Sequence, residues 1–174
     1  MKKVLAICGS IKNTSANYTL LKTIQTLAND MFELEIYDEL TTLPYFNPNP
    51  ENENSHASVV AFRNKIATAD GIFICTPEYV FSLPGILKNA LEWTVSTTVF
   101  TDKPAALITA SSSGKVAHES LLLIMKTLGV KTSDECCLLI QSIKSKMTAD
   151  GNIIDSATKE QVIQLIEAFD TLMN

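Results

Sequence analysis

The chain of 174 residues is 46% hydrophobic and 19% charged, which supports one sizeable core and is too short for two full domains, so a single domain over residues 1–174 is expected. Its formal net charge of −5, with no concentrated basic stripe, excludes an ordinary nucleic-acid-binding surface. No apolar run approaches the roughly 18 residues of a membrane span, and the apolar stretch 4–7 is shorter than the about 7 to 15 residues of a secretory h-region; no membrane insertion and a cytoplasmic location are expected.

Cys8, Cys75, Cys136 and Cys137 show no C-x-x-C spacing, and His56 and His118 lie far from any cysteine pair. Buried free thiols are therefore expected, with no metal site and no disulfide framework.

In chain order, residues 4–8 (VLAIC) are a continuous apolar run, the pattern of a strand covered on both faces. Over 15–27, Leu20, Leu21, Ile24 and Leu27 recur at helical spacing, and over 32–37 Phe32, Leu34 and Ile36 alternate as in a strand nearer an edge. A loop over 43–50 carries three prolines, which remove donors and bias the preceding residues away from the helical region. Its Tyr45 and Phe46 either anchor the loop or cover a site. Residues 55–69 predict a helix and 71–76 a buried strand. Pro84 suits the first turn of a helix over 84–95, and 104–109 is another apolar run. A helix over 115–128 stops at Gly129, a last strand spans 135–140, and a closing helix covers 153–173 with Val162, Leu165, Ile166, Phe169, Leu172 and Met173 as its stripe.

Five short apolar strands alternating with helices predict an α/β fold: an open parallel sheet with helices on both faces. The flavodoxin-like three-layer sandwich, with a five-stranded parallel sheet of order 2-1-3-4-5, accommodates them without an extra element, and its switch point lies between the first and third strands. The loops after Cys8, Thr76 and Ala110 then converge at one sheet edge. The first offers Ser10, Lys12, Thr14, Ser15 and Asn17 at a helix start, where free amides and the dipole favour a phosphate. Neither a Walker A loop nor G-x-G-x-x-G is present, and composition alone leaves an ordinary capping turn equally open. The second loop offers Tyr79 and Phe81 between stiffening prolines, as ring contacts or as packing. The third, Ser111, Ser112, Ser113 and Gly114, lets a ligand approach the backbone closely. Together they match a flavin mononucleotide in outline.

Gly9-Ser10-Ile11-Lys12 with Ser15 and Asn17, then Pro77-Glu78-Tyr79, then the block SLPGILKNALEW over 82–93 resemble the NADPH-dependent FMN reductase family, a flavodoxin-like group that includes quinone, azo-dye and chromate reductases. The resemblance covers essentially the whole chain and is most specific in the second and third of these stretches. It implies that Ser10, Lys12, Ser15 and Asn17, with the amide of Ala16, hold the FMN phosphate. It places Pro77, Glu78, Tyr79 and Val80 along the ribityl chain and isoalloxazine, and residues 111–114 at the ring's polar edge. Three departures stand out: Lys12 replaces the usual arginine and loses its bidentate fork, Val80 stands where asparagine is common, and Lys115-Val116-Ala117-His118-Glu119 replaces a glycine-rich, arginine-containing run.

The resemblance further implies NADPH or NADH as donor, a small acceptor such as a quinone or free flavin, ping-pong order, and no catalytic protein nucleophile. It also implies a homodimer or homotetramer with the flavin near the interface; Leu87, Leu91 and Val95, alongside Trp93, could serve that contact or an internal core. Two other readings stay open, a flavodoxin-like electron carrier and a flavin-free regulatory member of the fold.

Overall fold

Strands that are apolar on both faces need cover on both, and a sheet between two helical layers supplies it. The computed structural model describes residues 1–49 and 56–174; Pro50 and Ser55, where the proline loop is expected to end and the second helix to begin, lie outside the described residues. Strands β1 (Lys2–Cys8), β2 (Phe32–Tyr37), β3 (Gly71–Thr76), β4 (Ala105–Ser111) and β5 (Cys137–Gln141) pair in parallel in the order β2-β1-β3-β4-β5. This is the expected flavodoxin-like order, with the switch point between β1 and β3. Helices α1 (Ala16–Leu27), α2 (Ala57–Thr68), α3 (Gly85–Glu92), α4 (Lys115–Thr127), the short α5 (Ile143–Lys146) and α6 (Ser156–Met173) complete the layers. No helix among the described residues is long and apolar enough to cross a membrane.

Alternate strand residues feed two cores. Val4, Ala6, Cys8, Phe73, Cys75, Ala106 and Ile108 meet Leu20 and Ile24 of α1 and Phe169 of α6, whereas Leu5, Ile7, Ile72, Ile74 and Leu107 meet Phe62, Leu87 and Leu121 of α2, α3 and α4. The edge strand β2 keeps Glu33 and Glu35 exposed, as its alternation predicts, and turns Tyr37 onto Phe62 at 5.1 Å between ring centroids.

Element starts differ from the sequence expectation where a local hydrogen bond intervenes. Residues 134–136 form a 3-10 turn, with the Cys136 amide donating to the Ser133 carbonyl at 3.0 Å, so β5 begins at Cys137 rather than at 135. Helix α6 begins at Ser156 rather than 153, because Asp155 caps it: Oδ2 accepts from the Thr158 amide at 2.9 Å and from its hydroxyl at 2.6 Å.

Candidate cofactor-binding site

The ends of β1, β3 and β4 lie side by side, so the loops that follow them meet at one edge. Gly9 makes that approach possible: its amide donates to the Cys75 carbonyl at 2.8 Å, and a Cβ there would lie 2.4 Å from Thr76 Oγ1. Ser10 is buried, while Lys12 and Thr14 are exposed. The first loop closes through the Ser15 amide donating to the Lys12 carbonyl at 2.8 Å, and the Ser15 hydroxyl oxygen then accepts from the Tyr18 amide at 3.2 Å to cap α1. The capping turn leaves the Ser15 O–H and the Ala16 and Asn17 amides without an intrahelical acceptor. No acidic residue sits in that first turn.

Asn17 is only 4% exposed and its side chain turns inward: Nδ2 donates to the Ala110 carbonyl at 3.0 Å and Oδ1 accepts from the Cys75 thiol at 3.3 Å. It ties α1 to the ends of β3 and β4. Burial pushes the Cys75 thiol pKa well above its ordinary value, with Cys8 alongside adding to the rise, and burial also raises Cys8. Both thiols stay protonated, so neither is an activated nucleophile.

In the second loop Pro77 is buried, Glu78 partly so, and Tyr79, Val80 and Phe81 are exposed at 54%, 95% and 73%. Tyr79 and Ser82 exchange both backbone hydrogen bonds at 3.0 Å, and Val80 and Phe81 between them take φ values of 51° and 54°. This is a two-residue turn of the I′ type, usually built from asparagine and glycine. Glu78 reaches across to the third loop: its amide donates to Ser111 Oγ at 3.2 Å, Oε1 accepts from the Gly114 amide at 3.1 Å, and Oε2 accepts from the Ala117 amide at 3.0 Å. Ser111 is thereby engaged, whereas Ser112 and Ser113 are exposed. Gly114 precedes α4 at φ 85°, with Thr109 and Leu139 against it.

His118, one turn into α4, faces back onto β4 with Nδ1 3.0 Å from Thr109 Oγ1. Burial lowers its pKa below the usual imidazole value, and Glu119 opposes the shift more weakly. Asn89 and Trp93, from the third recognisable stretch, hold the proline loop. Asn89 Nδ2 and Trp93 Nε1 both donate to the Pro44 carbonyl, at 2.9 and 2.8 Å, and Asn89 Oδ1 accepts from the Phe46 amide at 2.7 Å. Phe46 packs edge-on against Trp93 at 5.2 Å, while Tyr45 is 93% exposed. Phe46 is thus the anchor of the loop. The sequence carried a hint of the Glu78 contacts, since Gly114-Lys115 opens α4 with neither a capping side chain nor an acidic residue in its first turn. Among the described residues no group of three or more His, Cys, Asp or Glu could hold a metal.

Residues 2–144 match the NADPH-dependent FMN reductase family. The chain belongs to this family. An NADPH:quinone oxidoreductase of Arabidopsis thaliana is 34% identical over 94% of this chain and 88% of its own length. An NAD(P)H-dependent FMN reductase of Pseudomonas aeruginosa is 29% identical over 95% and 92%. Among solved structures, the flavoenzyme NAD(P)H:(acceptor) oxidoreductase FerB from Paracoccus denitrificans superposes with a TM-score of 0.86 at 27% identity, over 99% of this chain and 97% of that one. As a member of the FMN reductase family the chain is an oxidoreductase using FMN and NAD(P)H.

Proposed function

We propose that this chain, folded as one domain, reduces quinones or similar flat electrophiles with NAD(P)H, holding FMN across the loops 10–17, 77–81 and 111–114. The observation that carries this reading is the stitching of the three loops into one edge, by Asn17 to Ala110 and by Glu78 to Ser111 and Gly114. A cytoplasmic setting suits four unpaired cysteines.

The donor set fits the phosphate of FMN: the Lys12 ammonium, the hydroxyls of Ser10 and Ser15, and the amides of Ala16 and Asn17, with no carboxylate in the first turn of α1. Bound FMN supplies two-electron chemistry, accepting hydride from NAD(P)H and delivering it onward to the acceptor. The contribution of the protein is placement. Pro77 fixes the backbone entering the site, and Tyr79, Val80 and Phe81 present an apolar surface suited to a flat ring. Ser112 and Ser113 serve as preorganised donors to the ring's polar edge. Hydride and a proton convert the quinone to a hydroquinone while NAD(P)H leaves as NAD(P)+, and donor and acceptor take turns over one open edge in ping-pong order.

Two copies meet, in this reading, through the face shared by α3 and α4, with assembly to a dimer or a pair of dimers. Leu87 and Leu91 are buried in the core rather than offered to a partner. The exposed face instead carries Val95 and Leu123, at 64% and 67%, over a groove lined by Phe46, Ile124 and Leu128.

The test is to reconstitute purified protein with FMN and add NADPH or NADH anaerobically. Donor bleaches the flavin absorbance and quinone restores it; a flavin that neither donor reduces sinks the reductase reading. Lys12→Ala combined with Ser15→Ala retains the fold and weakens FMN binding about tenfold or more, through loss of charge-assisted contacts. Unchanged FMN retention in that variant rules out the phosphate assignment.

A further inference from the structure

Helix α4 starts in an unusual way. Gly114 at its N-cap has no side chain, its first turn holds no acidic residue, and Lys115 places a positive charge at the positive end of the dipole. The missing acceptors come from another element 36 residues away: Glu78 takes the Gly114 amide on one carboxylate oxygen and the Ala117 amide on the other. The same residue's amide donates to Ser111 Oγ. Directly after it the chain enters a turn in which Val80 and Phe81 both hold positive φ, a conformation that costs roughly 1–2 kcal/mol per residue for L-amino acids. A strained turn persists only where its surroundings over-determine it.

We propose that Glu78 is a positioning residue: an internal anion that closes the N-terminus of α4 and locks the 79–82 turn to the 111–114 loop, fixing the two walls between which the flavin ring is held. This rests on the FMN reading above. Glu78 sets a carboxylate against the α4 end, which repels a phosphate there, whereas the first turn of α1 holds no acidic residue and is the better receiver.

The test compares Glu78→Ala and Glu78→Gln in the full chain. In the FMN-free protein, amide hydrogen exchange at Gly114 and Ala117 accelerates about tenfold in Glu78→Ala, the size of one lost charge-assisted hydrogen bond. The Tyr18 amide, capped independently by Ser15, is unchanged. Glu78→Gln, which keeps one acceptor oxygen, falls between, and added formate slows exchange in Glu78→Ala but not in the wild type. With FMN, Glu78→Ala weakens binding about tenfold, because binding must then order the two walls that Glu78 no longer fixes, shifts the visible band of the bound flavin and raises the acceptor KM more than it lowers kcat. Wild-type exchange at both amides in Glu78→Ala overturns the tether. Accelerated exchange with unaltered FMN affinity, spectrum and acceptor KM overturns the positioning role and leaves only a helix cap. A wild-type chain that takes up no FMN overturns the flavin reading and the positioning role with it, while exchange and formate rescue still score the tether separately.

Discussion

His118 shows how a single contact sets a pH response. Its ring packs against Thr109 on β4, and burial lowers its pKa relative to the unfolded chain, with Glu119 on its own helix opposing. Above the unfolded value of about 6.5 both states are neutral and the residue adds no pH dependence. Below it the unfolded chain takes up the proton first, so stability falls as pH drops, until the folded imidazole also protonates and the loss levels off. Urea unfolding at several pH values should therefore show a wild-type stability that declines between about pH 7 and 5 relative to His118→Gln. A difference between the two proteins that stays flat across that range means the ring does not titrate as described. The cysteines respond in the opposite sense: with burial raising the pKa of Cys8 and Cys75, neither acquires thiolate character at neutral pH.

At the scale of elements, the turn at 79–82 is the clearest site of strain. Valine is β-branched and Phe81 bulky, yet both occupy the left-handed region that asparagine or glycine would fill without penalty. Val80 is 95% exposed, so replacing it removes no core packing. Val80→Asn should raise stability by about 1 kcal/mol and Tm by roughly 2–4 °C for a chain of this size, measured by thermal unfolding of the FMN-free protein. A Tm at or below the wild-type value shows that the turn is not under the strain its φ values imply. The sequence made the elements themselves legible, because continuous apolar runs such as 4–8 and 71–76 announce strands buried on two faces, and five of them alternating with helices leave few topologies. It made the converging loops legible for the same reason, since a parallel sheet gathers the chain after Cys8, Thr76 and Ala110 at one end. What it left out were contacts between side chains and distant backbone. Glu78 with Gly114, Asn17 with Ala110 and Asn89 with Pro44 join residues 36, 93 and 45 positions apart; a local pattern shows at most that a cap is missing, as at Gly114-Lys115, and not which distant residue supplies it. The same holds for boundaries: Asp155 starts α6 by capping it, a choice among several polar residues that only the folded backbone resolves.

For the whole molecule, the distribution of apolar surface decides how many copies work together. Most large apolar side chains lie in the two cores, but Val95 and Leu123 remain exposed on the face formed by α3, its C-terminal turn and α4, beside a groove of predominantly apolar lining. The Lys88–Glu92 pair, 2.6 Å apart one helical turn from each other, borders the same groove and gives each copy both signs of charge to offer a symmetry mate. A stable interface needs about 800 Å² per partner, and apolar burial contributes roughly 25 cal/mol per Å², so one charge placed in the centre of such a patch has a large effect on association and little on folding. Leu123→Glu should leave the monomer's unfolding profile close to the wild type's, because the side chain is 67% exposed, while converting the proposed dimer to a monomer in sedimentation velocity at micromolar protein. If the flavin sits near the interface, the same variant also retains less FMN after gel filtration. A wild-type protein that sediments as a monomer over the whole accessible concentration range removes the dimer from this reading and leaves the α3–α4 face as free surface, without touching the loop edge proposed to hold FMN.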